Sequence, residues 1–415
     1  MHLLRNLISC AALALAAAPL CAQVLTFDAA RSRALESQPT LRALDLQARA
    51  AEESALADGV LPDPRLKLGA LNFPTRNFPR AREDMTQWGV SYEQPIPGGD
   101  KLRLRTQRGL AEASQTKAEV DNERQRIERE VGLAWLEAFQ ADKAARLAGA
   151  LFEETRRAIE AAGIGAASGR IPQAEIFGAR QTASQAADRR FEFAAQAERA
   201  RAMLRRWIPG ATVFEMPAEL PRWPDPAPLV TLAEALDHHP QHGVMLLAQS
   251  VAESDVALAR EASKPDRSIE FGYFAREGQN RSDMIGVQVS FELPMWQDRK
   301  QDRLLAAKLK LAERVREQRE DHLRTLRAEL EAAYSDWRIA GERLANFDRA
   351  SLPAAEGRLQ SLLATHAAGR AELAAVLEAR RQLIEARVQQ LAFQVALAKA
   401  RVSIAYFEHT PGEQK

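Results

Sequence analysis

Apolar residues recur along this chain with two different periods. Over most of its length they step by three and four. Ile127, Val131, Ala134, Ala138, Ala141, Ala145, Ala148 and Phe152 follow that spacing, and so do Leu323, Leu326, Leu330, Ala333, Trp337, Ala340, Leu344 and Phe347. Ile384, Val388, Leu391, Val395, Ala398 and Val402 repeat it near the end. A sustained three-four step lays one apolar stripe along a helix and is the seam of a coiled coil. Alanine in the seam lets neighbouring helices approach closely. Asp100, behind Gly98 and Gly99, is placed to cap a helix that runs unbroken to about Ala162. The stripes report packing and not a cofactor.

Four short segments alternate instead with period two. Thr86, Trp88, Val90 and Tyr92 share one face, opposite Gln87, Gly89, Ser91 and Glu93. Ile285, Val287, Val289 and Phe291 oppose Gln288, Ser290 and Glu292; Ile269, Phe271 and Tyr273 form a third apolar face, and Leu66, Leu68 and Ala70 a fourth. Each segment is about nine residues, the length of a tilted strand that crosses a bilayer. One reading is a soluble sheet with one face on a helix. The other is a membrane wall in which Trp88, Val90, Tyr92, Phe271, Tyr273, Val287, Val289 and Phe291 face lipid. Four strands cannot close a barrel, and an open edge in hydrocarbon leaves backbone groups unpaired. The membrane reading therefore requires three copies and a twelve-stranded wall.

The strands and helices fall into two copies of one unit, with a period near two hundred residues. Thr26-Phe27-Asp28-Ala29-Ala30 recurs as Thr231-Leu232-Ala233-Glu234-Ala235, and Gln38-Pro39 as His239-Pro240. Asp63-Pro64 matches Lys264-Pro265, Ser91 to Ile96 matches Ser290 to Met295, and Trp135 matches Trp337. Gly169-Arg170 matches Gly369-Arg370, each before a fresh helix. Thr26 and Thr231 are N-cap candidates, the second with Glu234 as a capping box. The first helix of each copy is expected to stop near Pro62 or Pro265, and Pro353 to kink a helix of the second copy. The reading divides the chain into a signal peptide at 1–22, a first repeat at 23–208, a Pro-rich linker at 209–230, a second repeat at 231–408 and a tail at 409–415. Strands are expected at about 65–72, 85–94, 268–275 and 283–292, and helical hairpins at 100–208 and 298–408.

Charge and candidate chemistry remove alternatives more than they add any. Lys plus Arg is 57 and Asp plus Glu is 56, so no excess points to nucleic acid. Arg5, the run Ala11 to Leu20 and Leu20-Cys21-Ala22 read as a secretory signal. Both cysteines, Cys10 and Cys21, lie inside it, so cleavage leaves a chain without thiol chemistry. No phosphate loop, nucleophile elbow or His-Glu-x-x-His is present, which points away from an enzyme, and no cofactor is expected. The weak metal candidates are His238, His239 and His242, beside Pro240 at a helix start and expected to be exposed.

On the duplicated pattern, the strand ends Ser91-Tyr92-Glu93-Gln94-Pro95-Ile96 and Ser290-Phe291-Glu292-Leu293-Pro294-Met295, and the Gly-Arg turns, the chain resembles the TolC-like outer-membrane efflux channels. Within them it is similar to the heavy-metal branch typified by CzcC and CusC. Where many members carry Asp before Val-Leu after the second turn, this chain has Ala374-Ala375-Val376-Leu377. The resemblance implies a mainly α protein with a membrane β-barrel: a homotrimer, twelve strands in outer-membrane lipid, and a long coiled-coil tunnel in the periplasm. It implies a passive export duct for heavy-metal cations, working with a periplasmic adaptor and an inner-membrane pump of the RND type. A multidrug or protein-secretion channel is the alternative within that class, and a soluble periplasmic scaffold the alternative outside it. Gly163, Gly165, Gly169, Arg170, His366, Gly369 and Arg370 would form the tips that dock the adaptor, and Glu175 and Glu372 would ring the pore mouth.

Overall fold

The computed structural model describes residues 23–73, 75, 85–167, 173–210, 213–276 and 281–408. The expected signal segment, the tail, Gly169 and Arg170 lie outside them. Nine helices are described: α1 (Phe27–Ser37), α2 (Pro39–Asp58), α3 (Lys101–Ala167), α4 (Gln173–Arg205), α5 (Leu229–Ala235), α6 (Pro240–Glu261), α7 (Gln301–Asn346), α8 (Leu352–Ala367) and α9 (Leu373–Glu408). The described strands are β1 (Gln23–Val24), β2 (Arg65–Leu71), β3 (Gln87–Ile96), β4 (Phe214–Glu215), β5 (Arg267–Arg276) and β6 (Met284–Phe291).

The chain divides into two compact units. One comprises the described residues up to 39, 124–234, and 328 onward. Its core includes the α3 seam, with Ile127, Val131, Trp135 and Ala138 buried, and Leu391, Val395 and Ile404 of α9, which are buried in the same unit. Trp135 is fully buried and donates its indole N–H to the carbonyl of Leu25 at 2.9 Å. Phe27 sets its edge against both Trp135 and Trp223. Arg401 is buried and donates to the carbonyl of Pro224 at 2.7 Å, which ties the Pro-rich segment to α9. β1 pairs in parallel with β4.

The other unit comprises 40–123 and 235–327. It carries a four-stranded antiparallel sheet in the order β2-β3-β5-β6. The run helix, strand, strand, helix occurs twice, as α2-β2-β3-α3 and α6-β5-β6-α7. In the sheet, Leu66, Tyr92, Phe271 and Val287 form one cross-strand row, and Leu68, Val90, Tyr273 and Ile285 the next.

Several boundaries depart from the sequence reading for local reasons. Thr26 caps α1, its hydroxyl accepting from the amide of Ala29. Thr231 does not cap: α5 already starts at Leu229, because the carbonyl of Pro228, three residues before Thr231, accepts from the amide of Leu232. The single first helix expected in each copy is two pieces, since Pro39 and Pro240 lack the N–H that would continue the ladder. The second pieces stop at Asp58 and Glu261, short of the prolines. α3 runs through Gly163 and Gly165 to Ala167, past the expected stop, so those two glycines are helical and not in a turn. Pro353 stands at the start of α8, just after a π-helical turn at Phe347–Ser351 that absorbs its missing hydrogen bond.

Candidate channel wall and hairpin tip

The sheet has two chemically different faces. On one, Trp88, Val90, Tyr92, Phe271, Tyr273, Val287, Val289 and Phe291 are all exposed, together with Leu66, Leu68 and Ile285. Ile285 is 82% exposed and Leu68 73%, values that a water-facing isoleucine and leucine do not share with so many neighbours by chance. On the other face Lys67 bridges two strands, meeting Glu93 at 2.9 Å and Glu270 at 2.7 Å. Ser91 donates its hydroxyl to Glu270. Phe274 lies on a floor of glycines: a Cβ at Gly89, Gly272 or Gly286 would come within 3.0 Å of its ring. Gly89, opposite Phe274, and the paired Gly272 and Gly286 of the adjoining row therefore make room for a flat aromatic ring on the polar face. Among the described residues the two outer strands, β2 and β6, each pair on one side only.

Below the sheet an ion-pair seam joins the helices of the same unit. Asp255 of α6 takes the Arg108 guanidinium at 2.6 Å and the Lys308 ammonium at 2.5 Å. Burial disfavours its charge, yet hydrogen bonds from Lys308 and Arg108 hold its carboxyl below the usual range. Glu253 pairs with Arg316, and Gln249 accepts from Arg319. The candidate histidines lie at the far end of α6. His238 is exposed as expected, whereas His239 and His242 are buried, at 1% and 5% exposure. His239 is the N-cap of α6, accepting from the amide of Gln241, so its ring nitrogen serves the helix. Burial pushes His242 below its ordinary value against the pull of Asp237, and the charges of Arg319 and His322 push it the same way. Among the described residues no group of three or more His, Cys, Asp or Glu side chains is arranged to hold a metal ion.

In the first unit, Ala162 of α3, Ile176 and Ala179 of α4, and Leu373 and Leu377 of α9 form one buried cluster. It joins the ends of two helical hairpins. Glu175 accepts from the amide of Leu373, the first residue of α9. A carboxylate there satisfies an orphan donor and complements the positive end of the helix. Glu175 is thus engaged inside the protomer, while Glu372 is exposed. Between α8 and α9 the chain reverses on Gly369, whose φ of 71° is the left-handed conformation a helix C-terminus needs. The amides of Gly369 and Arg370 return to the carbonyls of His366 and Thr365, both at 2.9 Å. His366 contacts the carbonyl of Ala371 through Nδ1 at 2.7 Å, and the Arg370 side chain is exposed. The capping role of Glu175 had no sequence signal, because its partner lies far along the chain.

Residues 30–209 match the model of the family described as outer membrane efflux protein. No curated protein sequence matches the chain. Solved structures do. The Campylobacter jejuni CmeC outer membrane channel is 14% identical, with a TM-score of 0.79 over 94% of this chain and 87% of that one. The open state of the Neisseria gonorrhoeae MtrE outer membrane channel is 15% identical, with a TM-score of 0.74 over 92% and 88%. CusC is 13% identical, with a TM-score of 0.75 over 93% and 92%. The fold is that of the TolC-like outer-membrane channels. Over residues 30–209 the chain is similar to the outer membrane efflux protein family.

Proposed function

We propose that the protein is the outer-membrane duct of a tripartite efflux system, assembled from three copies in a Gram-negative outer membrane. One observation carries the reading. The four-stranded sheet presents a broad apolar face to its surroundings, and among the described residues neither of its edges is paired. A soluble scaffold would have to cover that face and blunt those edges. Lipid covers the face, and a neighbouring copy at each edge closes the wall. Three copies of four strands make twelve. The polar face, with Lys67, Glu93 and Glu270, then lines the lumen. The helices extend the duct into the periplasm, and transport through it is passive.

The two tandem repeats, with the linker at 209–230, supply two helical hairpins per copy. Their tips, with Gly163, Gly165, Gly169, Arg170, His366, Gly369 and Arg370, are the contact for a periplasmic adaptor that links the duct to an inner-membrane pump. Glu372 is the acidic side chain available to the pore mouth; Glu175 acts there through α9. For cargo, the resemblance to the CzcC and CusC branch favours heavy-metal cations. The fold does not separate cargo classes, since CmeC, MtrE and CusC fit this chain about equally well.

The test is deletion of the chain's gene from its host, followed by growth on metal salts and on drugs. Sensitivity to divalent metals, restored by the native chain, is the expected result. Sensitivity to drugs alone would move the cargo to the multidrug class. Recovery of the protein from the periplasm without detergent would overturn the duct itself.

A further inference from the structure

The ionised side chains on the polar face of the sheet are gathered in one place. Arg65, Glu93, Glu270 and Gln288 form one cross-strand row, and Lys67, Ser91, Gly272 and Gly286 the next. To one side of this belt lies the row Gly69, Gly89, Phe274 and Met284, and to the other Pro95, Ser268 and Ser290. Arg276 stands apart at the far end of β5, opposite Gln87. Within the belt the two cations, Arg65 and Lys67, balance the two acids, Glu93 and Glu270.

The belt is layered. The side chains of Glu93 and Glu270 are 14% and 21% exposed, whereas that of Lys67 is 49%. The lysine reaches over from the edge strand, and its ammonium lies 2.9 Å from Glu93 and 2.7 Å from Glu270. It takes Oε2 of Glu270, while the hydroxyl of Ser91 donates to Oε1. Arg65, exposed at the start of β2, balances the remaining charge at longer range. The acids are therefore at the wall, and Lys67 is the cation laid over them.

Two neighbouring carboxylates and a hydroxyl on the wall of an aqueous passage offer oxygen donors of the kind that hard cations favour. A passage conducts only if what enters can also leave. An ammonium tethered to the wall takes the place between the acids and brings its charge with it. Lys67 and Glu270 are each peculiar to their own copy of the repeat: on the match of Asp63-Pro64 with Lys264-Pro265, the corresponding positions are Ser268 and Gly69. Their pairing thus belongs to the assembled sheet and not to the repeated unit.

We propose that Lys67 sets the ionic selectivity of this stretch of the duct, its ammonium roofing Glu93 and Glu270 and keeping them from holding cations in transit. The proposal rests on the reading of the polar face as the lumen wall. Without Lys67 each copy carries one uncompensated negative charge in the belt, and without Glu270 one uncompensated positive charge. A wall charge acts over roughly 30 Å at about 0.01 M salt and about 3 Å at 1 M. The effect is therefore strong in dilute salt and lost in concentrated salt.

The experiment places the full chain in planar bilayers across a gradient of potassium chloride and reads the reversal potential of each variant against the native protein. Lys67→Met should shift it toward potassium, with a several-fold rise in the permeability ratio of potassium to chloride in dilute salt. Glu270→Gln should shift it toward chloride. Lys67→Met with Glu270→Gln, and Lys67→Arg alone, should both return the native value. If Lys67→Met does not insert, Glu270→Gln decides by its shift toward chloride or the lack of one. Conducting channels whose reversal potentials in dilute salt are the same for the native protein and the single variants would overturn the role of Lys67 and leave the duct standing. A native protein that forms no channel would overturn the duct reading itself.

Discussion

Asp255 sits on α6 with Arg108 of α3 on one oxygen and Lys308 of α7 on the other. Its side chain is 21% exposed, those of Arg108 and Lys308 are 37% and 40%, so water screens the cations more than the acid. Replacing Asp255 by Asn removes the counter-charge from two cations and should cost about 1 kcal/mol after that screening. The carboxyl is held below its ordinary range in the folded protein. Its contribution is therefore fully present above the unfolded value, about 4, and is lost as pH falls through the folded value. Thermal unfolding of the helices, followed between pH 7 and pH 3, should show the native protein losing stability below about pH 4 more steeply than the Asn variant. Identical pH profiles would remove Asp255 from the seam's energetics. The histidines teach the opposite lesson at the same scale. The three imidazoles beside a proline, weak metal candidates in the sequence, were expected to be exposed, but His239 is spent on capping α6 and His242 is buried. Sequence spacing gives neighbours along the chain and does not tell which of them a helix start will consume.

At the scale of elements, period was the most legible signal. Alternation along Gln87–Ile96 and Met284–Phe291 placed both strands to within a few residues, because side chains on a strand point to opposite faces without exception. The face assignment is open to direct test. Val287→Arg, on the apolar face, should cost about 2–4 kcal/mol at mid-bilayer depth. Gln288→Arg, one residue on and beside Glu270 in the ladder, should be tolerated. Outer-membrane abundance of the two variants decides, and equal abundance would cancel the distinction. Helix ends were less legible. The Thr231 cap failed because Pro228 supplied an earlier start, and the stop of α3 was misplaced because Gly163 and Gly165 are held within a helix. The cap on α9 was invisible, since Glu175 stands 198 residues from the amide it accepts. Glu175→Ala should release that amide at a cost of about 1 kcal/mol, which is roughly a five-fold faster hydrogen exchange in the first turn of α9. Unchanged exchange at Leu373 to Val376 would show that the buried cluster alone holds the turn.

For the whole molecule, the sheet is the element that cannot stand as it is. Its apolar face and its two half-paired edge strands are each costly in water, and the edges are costlier still in hydrocarbon. In the α3 and α9 seams, by contrast, Trp135 and Val395 are buried within the chain. That imbalance was readable in the sequence only as an argument about closure, because no single residue in a strand specifies how many copies complete it. The measurement that bears on it most directly is the mass of the detergent-solubilised protein. The account predicts a stable trimer that depends on detergent for solubility. A stable monomer, or a particle that stays dispersed when detergent is withdrawn, would contradict it.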